Sequence, residues 1–260
     1  MRAFFGLLYY SGLLNLSHVD IHDLWKPNGL SPEYFRAVMR ENRFRLLLRA
    51  LRFDNSLTRI ERKKTDKLAP IREIWDHFNK SCLKYYSSGV NVIIDEMIAA
   101  FRGRCSFKQY IPSKPDRYGL KIFGMVDTES FYTSNMELYV GKQLSEEYQV
   151  SNKPFDVVQR VCHSILNTGR NITMDNWFSS LPLVIDLLEK HKITVVATLR
   201  KNKPQIPPGF VTVKKRDPCS SLFAFYRNIT MVSYISQSKK KKLYNFDFIY
   251  AQIECHRRRD

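Results

Sequence analysis

The chain has 260 residues, of which 44% are hydrophobic and 26% charged, enough apolar material for one large core or two modest ones, which excludes wholesale disorder. Lys and Arg number 42 against 25 Asp and Glu, a formal net charge of +17. That surplus points to a polyanionic partner, because each cation placed on a phosphate releases counterions. The five cysteines form no C-x-x-C pair, which argues against a zinc knuckle or a disulfide framework and for a reducing compartment, nucleus or cytosol.

The charge is unevenly spread. Residues 1–90 carry 16 Lys/Arg and 9 Asp/Glu, residues 91–200 carry 13 and 12, and residues 201–260 carry 13 and 4. Basic flanks around a nearly neutral middle fit arms that hold a nucleic acid around a core whose acids serve another purpose.

In chain order, Met1-Arg2 precedes an apolar run from Ala3 to Leu14. No small-x-small cleavage site follows it, and it is too short to span a bilayer, so it reads as a buried helix in a protein that is not secreted and meets no membrane. The sequons at Asn15, Asn171 and Asn228 are then chance matches. Helical spacing recurs over Pro32–Met39, with Ser31 as N-cap, and over Phe44–Leu51; Arg59 to Lys67 reads as a charged loop, and a further helix follows Pro70. Arg36, Arg40 and Arg43 recur about once per turn, as a DNA-facing stripe or a solvated face.

From residue 89 the period changes to that of strands. Val90 to Asp95 reads as a strand buried on both faces, followed by strands at Leu120–Val126 and Met136–Val140. A helix is expected over Pro154–Leu166, a short strand over Asn171–Asp175, a helix over Leu181–His191 and a strand over Ile193–Leu199. The order implies a mixed sheet with helices on its faces. Leu222–Tyr226 and Ile229–Tyr234 read as paired strands around Arg227-Asn228, followed by the exposed run Lys239–Lys242 and the basic tail Arg257–Arg259.

Two acids stand where a sheet would present them. Asp95 follows Val92-Ile93-Ile94, and Asp175 follows Ile172-Thr173-Met174. An acid at the edge of a buried strand is costly unless it is paired or binds a cation, so spacing alone leaves a salt bridge, a strand-end cap or a metal ligand open. Glu96 should face away from Asp95, since strand side chains alternate. Asp127 reads more as a turn acid than as part of a site, Trp177 and Phe178 as core, and His163 and His191 as structural. Arg102 and Arg104 flank Gly103 and are read as phosphate contacts, or else as partners of Glu96; Lys114 and Lys121 fit a DNA-tracking role or a solvated one.

The strings Asp95-Glu96-Met97-Ile98-Ala99-Ala100-Phe101-Arg102-Gly103-Arg104, Tyr110-Ile111-Pro112-Ser113-Lys114-Pro115, Tyr118-Gly119-Leu120-Lys121 and Asn171-Ile172-Thr173-Met174-Asp175-Asn176-Trp177-Phe178 strongly resemble piggyBac-type transposases. Weaker similarity extends over most of the chain. The resemblance implies an α/β, ribonuclease-H-like mixed sheet with flanking helices over residues 87–203. A helical dimerisation and DNA-binding region over 1–86 would precede it, and the start of a β-rich insertion domain over 204–260 would follow. It further implies a DDE/D transposase acting in the nucleus on transposon ends and TTAA targets. Asp95 and Asp175 match the first and second catalytic aspartates, which hold two Mg²⁺ ions, and a second copy of the chain is an implied partner.

The third aspartate of the family has no matching motif here. Asp247, between Phe246 and Phe248, lacks the family surroundings, and the family's C-terminal zinc domain has no counterpart. The expectation is therefore a C-terminally truncated member, inactive alone because its catalytic triad is incomplete. The alternative is a domesticated, catalytically incomplete DNA-binding protein.

Overall fold

A computed structural model of the chain describes residues 1–29, 31–112, 115, 117–143, 146–212, 216–235 and 246–251. The chain divides into two compact units, Met1–Leu57 and Thr58–Asp260.

The first unit holds helices α1 (Arg2–Leu13), α2 (Glu33–Val38) and α3 (Glu41–Ala50). Phe4, Leu7, Leu24, Trp25, Phe35 and Phe44 form its core. Burying side chains of this size contributes about 1.5–3 kcal/mol each. Trp25 packs on Phe35 and Phe44 and satisfies its indole N–H on the Met39 carbonyl at 2.8 Å. The apolar N-terminal run is thus a helix with one buried side, Phe4 and Leu7, while Tyr9 and Leu13 face outward. Ser31 does not cap α2; its hydroxyl donates to the Asp23 carbonyl instead.

The second unit opens with α4 (Arg59–Thr65), where the sequence read as a loop. It buries no residue, so no apolar stripe announces it. It is built from good helix formers, with Lys64 paired to Glu61 at 2.7 Å and Arg62 donating to the Ala69 carbonyl at 2.8 Å. Then come α5 (Arg72–Tyr85), β1 (Asn91–Ala100), β2 (Gln109–Tyr110), β3 (Tyr118–Asp127), β4 (Thr133–Leu138), α6 (Pro154–Val161), β5 (Asn171–Met174), α7 (Leu181–His191), β6 (Thr194–Thr198), α8 (Pro208–Val211), β7 (Ser221–Tyr226), β8 (Ile229–Tyr234) and β9 (Phe246–Ala251).

The sheet runs β2-β3-β1-β5-β6-β9-β8-β7, and β4 pairs with the other stretch of the β3 edge. β1 is antiparallel to β3 but parallel to β5, and β5 is parallel to β6. Three antiparallel strands followed by two parallel ones reached through helices is the ribonuclease-H-like arrangement. The β7–β8 hairpin joins the same sheet through β9, which pairs with both β8 and β6.

Helices α6 and α7 cover one face. Val157, Val158 and Val161 of α6 and Leu183, Val184 and Leu187 of α7 pack with Val92, Ile94, Phe123, Met125, Ile172 and Val195 of the strands. On the opposite face Ile71 and Trp75, at the start of α5, pack with Leu68, Ile122 and Leu138. Asn79 of α5 donates to the Met136 carbonyl and accepts from its N–H, at 2.9 and 2.8 Å. Those bonds close the outer edge of β4 to further strand pairing.

β1 departs from expectation: it is buried on one face only. Val92 and Ile94 are sealed, whereas Asn91, Ile93 and Asp95 are exposed. The reason is that α6 and α7 cover only the Val92–Ile94 side at this end of the strand.

Candidate active site

Parallel pairing of β1 with β5 runs Asn91–Asn171, Val92–Ile172, Ile93–Thr173 and Ile94–Met174. Beyond that pair β1 continues alone against β3 to Ala100, while the other chain leaves the sheet. Asp95 and Asp175 are the next residue on each, at the carboxyl end of the parallel pairing, where open α/β sheets form their crevices. Both side chains are exposed.

The acids are held differently. Asp95 sits within β1, its Oδ1 accepting the Glu96 N–H at 2.7 Å. Asp175 heads a tight turn: its Oδ1 accepts the Trp177 N–H at 2.8 Å and its carbonyl accepts the Ser179 N–H at 3.2 Å. The turn is anchored by buried Phe178 and by the Ser179 hydroxyl, which donates to the Thr198 carbonyl at the end of β6. Arg200 donates to Asn176 Oδ1 at 3.2 Å, tying the same turn to the segment after β6.

Among the described residues neither Asp95 nor Asp175 takes part in an ion pair. Exposed carboxylates that follow neighbouring paired strands are the hard donors that a divalent cation such as Mg²⁺ takes. The residues fit two ligands of such a site. No group of three His, Cys, Asp or Glu side chains forms among the described residues.

The other residues singled out in the sequence separate into distinct settings. Arg102 and Arg104 are exposed, and neither pairs with Glu96. Arg102 lines a cleft of about 510 Å³ with Lys108, Pro115, Arg117 and Tyr118. The Tyr110 and Tyr118 rings lie 4.7 Å apart beside it, and the Lys108 ammonium sits 5.6 Å over Tyr118. Lys121 is turned inward instead: its ammonium is 3.1 Å from Glu96 Oε2 and its side chain is 15% exposed. A phosphate contact there would require that pair to break. Lys114 lies outside the described residues, as do Lys239–Lys242 and Arg257–Arg259.

Asp127 pairs opposite Val92, at the end of β1 away from the site. It accepts the backbone N–H groups of Ser130, Gly89 and Glu129 at 2.9, 2.5 and 2.9 Å. Those bonds hold its carboxyl down at about 2. It is a turn acid. His163 and His191 sit against the Arg160 carbonyl and Asp186. Among the described residues no helix is long and apolar enough to cross a membrane.

Sequence reasoning missed Lys108 and Arg117 as partners of Arg102, and Glu96 as the partner of Lys121. The signal was present in the alternation of β1 and β3, which puts Glu96, Ile98, Lys121 and Phe123 on one face.

Comparison with known proteins shows the family. The family described as Transposase IS4 matches residues 1–260. Human PiggyBac transposable element-derived protein 3 is 23% identical over 230 residues, covering 83% of this chain and 36% of that protein. The human chimeric ERCC6-PGBD3 protein is also 23% identical over 230 residues, covering 83% of this chain and 20% of its own length. A solved piggyBac transposase synaptic complex with hairpin DNA superposes with a TM-score of 0.82 at 36% identity, over 95% of this chain and 50% of that one. The chain thus spans about half of that transposase and about a third of the first human relative. With the family matched along its whole length and its fold shared with a solved member, the chain belongs to the piggyBac-type transposases.

Proposed function

We propose that the chain is the DNA-handling core of a transposase that cuts and joins strands at TTAA sites in the nucleus, with Asp95 and Asp175 as two of its metal-holding acids. One observation carries this reading: two exposed carboxylates, neither in an ion pair among the described residues, follow directly on the last register pair of β1 and β5. DDE transposases normally work with divalent metal, and bound Mg²⁺ supplies Lewis acidity and a more acidic attacking water. The chain's own contribution is positional. Asp95 is held by the sheet and Asp175 by its turn.

DNA is the partner that the basic surface fits, and the solved relative is a complex with hairpin DNA. Arg102, with Lys108 and Arg117 around a tyrosine-walled cleft, can take a backbone phosphate and stack a base. Arg104, exposed on the same loop in sequence, and Lys114, outside the described residues, are proposed as further phosphate contacts. Residues 1–86 are assigned to dimerisation and DNA binding, 87–203 to the core and 204–260 to the start of the insertion.

A second reading, a DNA binder without catalysis, is favoured by the absence of a group of three acids among the described residues. Both readings meet in one experiment. Purified protein is mixed with a transposon-end duplex flanked by TTAA, with Mg²⁺ or Mn²⁺, at rising salt. Binding that weakens steeply with salt but leaves the DNA intact is the expected result for these 260 residues. A flat salt response removes the DNA reading. The catalytic role is tested by grafting residues 87–203 into an active full-length piggyBac transposase, where excision must disappear in both Asp95→Asn and Asp175→Asn.

A further inference from the structure

The backbone ladder between β1 and β5 ends at Ile94–Met174, so no strand pairing fixes the gap between the two acids that follow. Lys121 bridges that gap from the opposite face of the sheet. Its ammonium lies 3.1 Å from Glu96 Oε2, and it sits over the rings of Trp177 and Phe123, 4.8 and 5.0 Å from their centroids. The two rings stack on each other at 5.2 Å with an interplanar angle of 16°. Glu96 adjoins Asp95 and gives its N–H to that carboxylate; Trp177 gives its N–H to the Asp175 carboxylate. The contacts run unbroken from Asp95 through Glu96, Lys121 and Trp177 to Asp175.

A lysine this far buried is costly unless its charge is paired. An apolar side chain would fill the space beside Phe123 and Trp177, but it would not hold Glu96. The ion pair and the cation–π contact act together only if the charge is there.

We infer that Lys121 is a positioning residue, which sets the spacing of Asp95 and Asp175 and through it their grip on a divalent cation. The inference rests on reading the two aspartates as metal ligands. Loss of a group that orients metal ligands typically weakens metal affinity about 10- to 100-fold.

The test is a Mn²⁺ titration of the whole chain labelled with 5-fluorotryptophan and followed by ¹⁹F NMR, the Trp177 resonance being assigned with W177F. Paramagnetic broadening of that resonance reports Mn²⁺ at Asp175, and its metal-free shift reports the cation over the ring. In K121M, which keeps the length and volume of the stem, the metal-free resonance should move and the Mn²⁺ concentration for half-broadening should rise about tenfold or more. K121R, which can keep both contacts, should recover most of that loss. If K121M moves the resonance but binds Mn²⁺ as the wild type does, while D95N and D175N lose it, Lys121 is structural only and the inference falls while the functional reading stands. If the wild type shows no Mn²⁺ broadening that D95N and D175N abolish, the reading of the aspartates as ligands fails and takes the inference with it.

Discussion

Asp95 and Asp175 are the first residues beyond Ile94–Met174, the last register pair of two parallel strands. Strand pairing does not fix their separation, but two like charges that follow directly on paired residues of adjacent strands repel each other. In water that repulsion is of the order of 1 kcal/mol at about 4 Å. Removing either charge should therefore leave the metal-free protein as stable as the wild type, or up to about 1 kcal/mol more stable. The same D95N and D175N proteins should lose the rise in melting temperature that Mg²⁺ or Mn²⁺ gives the wild type. An equal metal-induced rise in all three proteins would show that the cation sits elsewhere.

The cleft at Arg102 makes a separate prediction. Arg102 and Arg117 are exposed and, among the described residues, share the cleft with Lys108 but with no acid. If each holds one phosphate, R102A and R117A should each reduce the slope of log affinity against log salt by about one and weaken binding to all duplexes alike. Fluorescence anisotropy at several salt concentrations measures both quantities. Unchanged slopes would leave the cleft outside the DNA track.

Much of this arrangement could be read before the fold was in hand, because it depends on local periodicity. Leu181–His191 buries Leu183, Val184 and Leu187 at helical spacing, and the Arg227-Asn228 turn separates two runs that pair residue for residue. Asp175 at the end of its strand was visible for the same reason, whereas β1 runs on past Asp95 to Ala100. What periodicity does not carry is pairing across the sheet. Lys121 looks like an outward lysine until β3 is set against β1 and Glu96 is found diagonally opposite. Helix α4 was hidden because it buries nothing, and the place of β9 in the sheet because one of its partners, β6, is remote in sequence.

Asp127 gives a pH signature away from the site. Its carboxyl is held at about 2, below the ordinary 3.8, chiefly by the Ser130 and Gly89 backbone N–H groups, with that of Glu129 adding to them. A carboxyl lowered in the folded state contributes its full stabilisation above the ordinary value and loses it as pH falls toward the lowered one. D127N should be less stable than the wild type at neutral pH. The difference should shrink from just below pH 4 and be gone near pH 2, the window set by 3.8 and about 2. Denaturant melts of both proteins across that range provide the measurement, and a gap independent of pH would place the loss in packing rather than in the charge.

Gly119 tests the close approach on which the far end of β1 depends. It pairs with Ala100 of β1 and with Gln109 of β2. A Cβ built there would lie 2.4 Å from the Ala99 carbonyl oxygen and 2.4 Å from Ile98 Cγ2. The oxygen is backbone and cannot swing away, so β1 and β3 would have to separate beside the Tyr118 cleft. Overpacking of this kind costs about 1–3 kcal/mol. Gly209 in α8 is the control, since a Cβ there meets nothing within 4 Å. G119A should melt at lower temperature than the wild type and exchange amide hydrogens faster from Ala99 to Phe101. G209A should match the wild type, because a helical Gly→Ala change without a clash is neutral or slightly stabilising. A G119A protein as stable as G209A would mean that the two strands do not approach as closely as Gly119 allows.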